Sequence, residues 1–172
     1  FDLVLDHYQK NPSLKNRQMI DLAYDGFLKA YPKTLDNDFN DDIGWWANYL
    51  ARAYQLTHEK RFLNQSIKMF HFISGYEDTT YGGGIWWKNT ATGVGADNEK
   101  NVATNGTASM TAVRLYKITG DKAYLNTAQR LFKFLKDNYY YNGRILDRIR
   151  NNQKIFQDWT YDYGQFANAS FQ

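Results

Sequence analysis

Apolar residues recur at helical spacing along most of the chain. In the segment KNRQMIDLAYDGFLKAY the residues near one helical face are Met19, Ile20, Ala23, Phe27 and Ala30. The same spacing runs through residues 43–57, 61–74 and 121–137, and strand-like alternation never extends beyond four residues. The pattern therefore predicts a mainly α-helical protein.

An internal repeat organises these helices. Residues 51–72 align with residues 113–134 at an offset of 62, with eight identical positions, and each copy reads as helix, short turn and helix. In the second copy Gly120 suits the end of one helix and Asp121 the start of the next. Repeated helical hairpins indicate either an open α-solenoid or a closed α/α toroid.

A polar segment precedes the first helix of each hairpin: FNDDIGWW (39–46), KNVATNGTA (100–108) and DWTYDYGQ (158–165). If the first helices all point the same way, these three segments gather at one end of the structure. A glycine-rich loop, residues 81–101, lies between the two repeat copies and has no spacing typical of a phosphate-binding loop.

Composition narrows the possible functions. The 172 residues suffice for one domain with a sizeable core, and the 17% of aromatic residues fit either a packed core or a cleft lined with flat rings. A net charge of +3 without blocks of like charge argues against nucleic acid as a partner. The chain has no cysteine and no apolar run of the ~18 residues that a membrane span needs. Its three histidines lack metal-ligand spacing, so we predict neither a metal nor a cofactor.

Two adjacent aspartates, Asp41 and Asp42, open a predicted helix. One interpretation is helix capping, because aspartate is favoured there and the helix dipole stabilises negative charge by about 0.3–1 kcal/mol. One aspartate would be enough for that. The other interpretation needs both, because two close carboxyl groups titrate apart and can act as nucleophile and general acid. A short separation, of roughly 5–5.5 Å, is typical of retaining glycosidases.

Tryptophans and polar loop residues form a second candidate group. Trp46 falls on the apolar face of its helix and is predicted to lie in the core. At least one ring of Trp86 and Trp87, which follow three glycines, is expected to face a cleft and stack on a sugar. Each polar residue in the same loops could also serve as a cap or turn residue: Lys88, Asn101, Asn105, Asp147, Tyr161 and Asp162.

Several of these motifs resemble glycoside hydrolase family 76, whose best-known members are endo-α-1,6-mannanases. The resemblance rests on NDDIGWWANYLARAYQLT, GGGIWWK, KNVATNGTASMTAVRLYKITGD and ILDRI…WTYDYGQ, in that order, and covers the chain from about residue 3 to residue 172. It implies an (α/α)6 toroid with a cleft at one end. This chain departs from the family's Thr-Tyr-Asn-Gln-Gly-like stretch at residues 160–164, which read TYDYG.

The resemblance also implies roles for individual residues. Asp41 would be the nucleophile and Asp42 the general acid/base of a reaction that retains configuration. Substrate contacts are expected from five further residues: Trp86, Trp87, Asn105, Tyr161 and Asp162. Because a six-hairpin toroid needs roughly twice this length, we expect residues 1–172 to be a single catalytic toroid domain, truncated at both ends, with about half of it present.

Two functions from different classes follow. The first is a glycoside hydrolase, or a transglycosylase, acting on α-1,6-linked mannan polysaccharide outside the cell or at its surface, monomeric at full length. The second is a non-catalytic helical repeat module that binds glycans or protein partners, with the aspartates acting only as caps. Turnover separates them, since only a catalytic pair should give a bell-shaped pH profile.

Overall fold

The computed structural model describes residues 1–170 and is built mainly from helices. The α-helices of this part of the chain are α1 (Asp2–Lys10), α2 (Leu14–Ala30), α3 (Asn40–Thr57), α4 (Lys60–Ser74), α5 (Val102–Thr119), α6 (Lys122–Tyr139) and α7 (Thr160–Ser170). The prediction of a mainly α-helical chain is confirmed.

The helices form two rows. Helices α1, α3, α5 and α7 contact one another in sequence, and α2, α4 and α6 each pack against the helix that precedes them. Residues 1–170 thus contain three helical hairpins and the first helix of another, as the repeat predicts.

Helix α5 lies at the centre of this arrangement and contacts α3, α4, α6 and α7. It is buried on nearly all sides, which suits its small residues between Ala103 and Ala112. A Cβ atom added to Gly106 would lie 2.7 Å from Oε1 of Gln165 on α7. Small side chains therefore let the neighbouring helices of the first row approach closely.

The turns inside the two repeat copies have the same left-handed geometry. Gly120 ends α5 with φ of 75°, and the Asp121 side chain accepts a hydrogen bond from the backbone of Ala123. The equivalent residue of the first copy is His58, which adopts φ of 58°. A left-handed conformation costs a side-chain-bearing residue about 1–2 kcal/mol, so the first turn is strained where the second is not.

Short strands join the helices near the beginning of α5. They are β1 (Glu99–Asn101), β2 (Tyr140–Tyr141), β3 (Arg144–Ile145), β4 (Arg148–Arg150) and β5 (Gln153–Ile155). Strand β4 pairs antiparallel with both β1 and β5, and Asn101 lies opposite Arg148. The β1–β4 pairing carries residues from two distant loops to the start of α5.

Aromatic residues account for much of the packing around α3. Trp46 stacks on Phe27 with ring centroids 3.7 Å apart and on Phe1 at 5.2 Å. It packs against the core, as predicted, although part of its ring stays exposed. Leucines on α1 and α2 are largely solvent-exposed instead: Leu3, Leu14 and Leu22.

The strain at the His58 turn can be tested by substitution, with the equivalent turn of the second repeat copy as the comparison. His58→Gly should raise the free energy of unfolding by about 0.5–1 kcal/mol, because glycine adopts φ > 0 without steric cost but loses more entropy on folding. A thermal midpoint about 1–4 °C higher is the expected readout. Gly120→Ala, at the equivalent turn, should lower the midpoint, since no atom lies within 4 Å of an added Cβ and only the backbone conformation is penalised. A His58→Gly midpoint below that of the parent would contradict this account.

Candidate active site

Asp41 and Asp42 lie in the first turn of α3. The residue that precedes the helix is Phe39, in an extended conformation, and its side chain makes no capping hydrogen bond. Neither aspartate therefore occupies the N-cap position, which corrects the capping interpretation. Both still lie where the helix dipole stabilises negative charge.

The Asp41 carboxylate is half-buried and held by two donors. Its Oδ1 accepts hydrogen bonds from Nε1 of Trp87 at 2.9 Å and from the backbone N–H of Asp42 at 3.0 Å. Burial and the neighbouring charge of Asp42 raise the pKa of Asp41 to about 6, against the effect of these hydrogen bonds. Asp41 is thus a carboxyl group that can change charge near neutral pH.

Asp42 has different surroundings. Its side chain is exposed, and its Oδ2 accepts a hydrogen bond of 3.2 Å from Nδ2 of Asn37. Its Oδ1 has no hydrogen-bond partner among residues 1–170. The two carboxyl groups are therefore held by different donors, Trp87 and a backbone N–H for Asp41 and Asn37 for Asp42.

A hollow of about 240 Å³, named here the Asp41 hollow, opens beside Asp41. All three polar segments identified from the sequence contribute to it, so the structure brings them together at one end. Its lining residues are Asp41, Trp45, Trp87, Glu99, Asn101, Ala103, Asp147, Arg148 and Tyr161.

Arg148 sets the charge pattern of this hollow. It forms an ion pair with Asp147, and its Nε lies 3.4 Å from Oε2 of Glu99. Burial raises the pKa of both carboxyl groups, and Arg148 opposes that rise. The hollow therefore offers carboxylate and guanidinium groups that can accept and donate hydrogen bonds to hydroxyl groups.

A second hollow of about 350 Å³, the Asp42 hollow, lies on the other side of α3's first turn. It is lined by Asp42 and Asn37 and by aromatic rings that include Tyr31 and Trp46. Trp45 borders both hollows. The two aspartates thus face different spaces that share one tryptophan.

Trp86 and Trp87 have opposite placements. The Trp87 side chain is partly exposed and borders the Asp41 hollow. Trp86 is only 2% exposed, and its Nε1 donates to Oδ2 of Asp78 at 2.8 Å. The expectation that Trp86 contacts substrate is corrected by this burial, because a sugar cannot stack on a ring enclosed by protein.

A buried ammonium group lies against the Trp86 ring. Nζ of Lys100 is 4.7 Å from the ring centroid and donates to Oδ1 of Asp78 at 2.6 Å. It also donates to the backbone oxygens of Asp78, Thr80 and Gly83, at 3.2, 3.0 and 2.7 Å. Trp86 and Lys100, which both belong to the glycine-rich loop, therefore anchor the beginning of the loop and the residues just before it.

Asn105 is also placed in the interior. It is fully buried on α5, and its amide exchanges hydrogen bonds with the backbone N–H and C=O of Ile85, at 2.7 and 3.0 Å. This corrects the expectation of direct substrate contact, because every one of these bonds joins it to the protein's own backbone. Asn105 fixes the loop just before the tryptophan pair.

Tyr161 and Asp162 begin α7 but face different ways. Tyr161 is 45% exposed and borders the Asp41 hollow. Burial and nearby carboxylates, Asp162 first among them, raise the pKa of Tyr161 to about 12. Asp162 is fully buried, which corrects the expectation that it contacts substrate, and neither carboxyl oxygen has a hydrogen-bond partner within residues 1–170. Burial, and next the charge of Asp147, raise the pKa of Asp162 to about 8.

The described residues 1–170 contain no group of three or more His, Cys, Asp or Glu side chains placed to hold a metal ion. Over the same residues, no helix is both long and apolar enough to cross a membrane.

Comparison with known proteins identifies the family. The sequence profile of glycosyl hydrolase family 76 matches residues 7–171. The chain belongs to this family.

Among relatives of family 76, mannan endo-1,6-alpha-mannosidase DCW1 of Candida glabrata is 28% identical over 147 residues. This match covers 76% of our chain and 32% of that protein. The α-1,6-mannanase of Salegentibacter sp. HEL1_6 superposes with a TM-score of 0.88 at 26% identity, over 98% of our chain and 51% of its own. An inactive variant of that mannanase, with two consecutive aspartates replaced by asparagine, is bound to α-1,6-mannotriose and superposes equally, at 24% identity.

These matches establish the fold as that of a family 76 α/α toroid. The chain spans about half the length of the Salegentibacter mannanase, and about a third of the curated relative.

Sequence reasoning on this family 76 chain missed several residues of the Asp41 hollow. Glu99 and Arg148 were not singled out, and Trp45 was grouped with the other tryptophans but given no role of its own. Asn101 and Asp147 were noticed only as polar loop residues. The ILDRIR segment was the available signal, because its charged residues interrupt an apolar run just before α7.

The buried carboxyl group of Asp162 should make the stability of the folded chain depend on pH. Its raised pKa means that the folded chain binds a proton which the unfolded chain releases near pH 4, so stability falls as pH rises from about 4 to about 8. Asp162→Asn removes this titration. Its thermal midpoint, relative to the parent, should rise between pH 5 and pH 8 and then stay constant. Asp97→Asn, at an exposed position, is the control and should show no such trend. A midpoint difference that does not change with pH would contradict the assignment.

Proposed function

We propose that this chain supplies the catalytic pair of a retaining glycoside hydrolase that cleaves α-1,6-linked mannose polymers. The observation that carries the proposal is the pair itself: two neighbouring carboxyl groups in one helical turn, each held by a different donor and each bordering a different hollow. We include in the proposal an extracellular or cell-surface location and a monomeric full-length protein, as the family resemblance implies.

The relatives support this assignment. The Salegentibacter α-1,6-mannanase is inactive when two consecutive aspartates are replaced, and the inactive variant binds α-1,6-mannotriose. Our chain has one pair of adjacent aspartates, Asp41 and Asp42, and it opens α3 beside the Asp41 hollow.

Asp41 is assigned as the nucleophile. It accepts two hydrogen bonds on Oδ1, and donors of this kind stabilise the ionised form that attack on the anomeric carbon requires. The charge of Asp42 contributes to the raised pKa of Asp41. Burial is the larger cause of that rise, and the two hydrogen bonds oppose it by favouring the ionised Asp41 that attack requires.

Asp42 is assigned as the general acid/base. In the first step the Asp41 carboxylate forms a bond to the anomeric carbon, the glycosidic bond breaks, and the proton of Asp42 passes to the departing oxygen. In the second step Asp42 takes a proton from water, whose oxygen displaces Asp41 and restores the original anomer. Transfer to a second sugar in place of water would give a transglycosylase.

The substrate contacts proposed here differ in part from those expected from sequence. Trp87 and Tyr161 border the Asp41 hollow and remain proposed contacts, joined by Trp45 for stacking and by Glu99, Asp147 and Arg148 for hydroxyl groups. Trp86, Asn105 and Asp162 act from behind this surface. The sugar on the nucleophile side would occupy the Asp41 hollow and the leaving sugar the Asp42 hollow.

Azide rescue tests the two assigned roles. Asp41→Ala and Asp42→Ala should each lower turnover of α-1,6-mannotetraose by about 10²-fold or more. With a dinitrophenyl α-1,6-mannobioside and azide, Asp41→Ala should yield the β-mannosyl azide, because azide replaces the nucleophile. Asp42→Ala should yield the α-mannosyl azide, because azide then attacks the glycosyl-enzyme. Product anomers are read by NMR, in a polypeptide that contains residues 1–172.

Asp38→Ala is the control for these variants, since this aspartate is exposed and contributes only its backbone oxygen to the site. The same azide anomer from both variants would overturn the division of roles. Mannan binding without any turnover in the parent would favour the non-catalytic module.

The Trp87 donor gives a pH test. Trp87→Phe keeps an aromatic ring but removes the N–H that stabilises ionised Asp41, so the pKa of Asp41 should rise. The acid limb of the kcat/KM profile should therefore move to higher pH by about one unit. Trp159→Phe makes the same change on an exposed ring and should leave the profile in place. An unchanged acid limb in Trp87→Phe would contradict Asp41 as the nucleophile.

A further inference from the structure

Two chain segments pair beside the aspartates and form what we name the carboxylate ribbon, residues 37–40 and 86–89. Phe39 and Lys88 form an antiparallel bridge. The backbone N–H of Asn40 donates to the carbonyl of Trp87 at 2.7 Å, and that of Asn89 donates to the carbonyl of Asp38 at 2.9 Å. The ribbon thus joins the start of α3 to the glycine-rich loop.

Each strand of the ribbon supplies one donor to one aspartate. Trp87 donates to Asp41, and Asn37 donates to Asp42. The Asn89 side chain ties the two strands together by donating to the Asn37 carbonyl at 2.6 Å. The two donors are therefore held at a fixed spacing.

The orientation of the Asn37 amide is determined by its second bond. Its Oδ1 accepts the backbone N–H of Phe39 at 2.8 Å, and its Nδ2 faces Oδ2 of Asp42. Turning the amide over would place nitrogen against an N–H donor and oxygen against a carboxylate. Asn37 can therefore only donate to Asp42.

We propose that Asn37 is a positioning residue for Asp42, held in place by the carboxylate ribbon. This inference rests on the proposed function. Because the Asn37 amide already donates to Oδ2 of Asp42, the catalytic proton resides on Oδ1 of Asp42, the oxygen without a partner in residues 1–170. The proton leaves Oδ1 for the departing sugar oxygen and returns to Oδ1 from water, and the carboxyl group need not rotate between the two steps.

Asn37→Asp separates this role from a purely structural one. The variant keeps an oxygen that can accept the Phe39 N–H, so the turn before α3 is preserved, but it replaces the donor to Asp42 with a second oxygen. Asn98→Asp is the matched control. Its Nδ2 donates to the backbone oxygen of Gly93 at 3.0 Å and to neither aspartate. Asn37→Ser, which also keeps an acceptor without adding charge, is the second variant should Asn37→Asp fail to fold.

The experiment compares kcat/KM for two substrates that differ in their need for a proton. With α-1,6-mannotetraose, whose leaving sugar must be protonated, Asn37→Asp should lose about 10- to 100-fold. With a dinitrophenyl α-1,6-mannobioside, whose leaving group needs no proton, the loss should stay within about 3-fold. Asn98→Asp should match the parent on both. An equal loss on both substrates, or no loss on either, would overturn the inference.

A second readout tests the contact without requiring activity. In the 172-residue chain labelled with ¹⁵N, the Asn37 side-chain amide signals should shift with pH as the carboxyl group facing them ionises. This response should vanish in Asp42→Asn and persist in Asp38→Asn. No response in the parent would overturn the positioning role even if the protein is active. A clear response in a protein without mannosidase activity would leave the contact between Asn37 and Asp42 in place but reject the proposed function, and with it the positioning of a catalytic proton.

Discussion

The candidate site depends on the hydrogen bonds that surround the buried ammonium group of Lys100. Removing a charge from water costs several kcal/mol unless the protein replaces the lost hydration. Four oxygens of residues 78–83, at the entrance to the glycine-rich loop, do so here, and three of them are backbone carbonyls. Loop conformations that withdraw these oxygens leave the charge uncompensated. The loop is thereby confined to the conformation that presents Trp87 to Asp41.

The same confinement explains why glycines are needed on this loop. Gly84 adopts φ of 81°, and a Cβ atom there would lie 2.2 Å from the ring of Phe134. The loop therefore runs directly over α6 on its way to the tryptophans. On the other side, Asn105 holds the backbone of Ile85 from α5. The loop is fixed between two helices of different rows before it reaches the carboxylate ribbon.

Periodicity and the internal repeat were sufficient to predict the helices and their hairpin pairing, because both signals are local. The gathering of the three polar segments also followed, since hairpins that repeat must return their first helices to the same end. The two tryptophans could not be separated in this way, because a loop has no period that tells which of two adjacent rings turns inward. Glu99 and Arg148 depend on the pairing of two three-residue strands, which are too short to show alternation.

Trp45 has a consequence for the shape of any polymer that fills both hollows. Under the proposed function, a glycan chain that occupies both hollows has to pass this ring at the bond between the sugars on its two sides. Linkages through a ring hydroxyl have two torsions with which to fit around an obstacle, whereas a 1,6 linkage has a third, about the exocyclic carbon–carbon bond. The placement of Trp45 would then select for linkage flexibility as well as for the identity of the sugar.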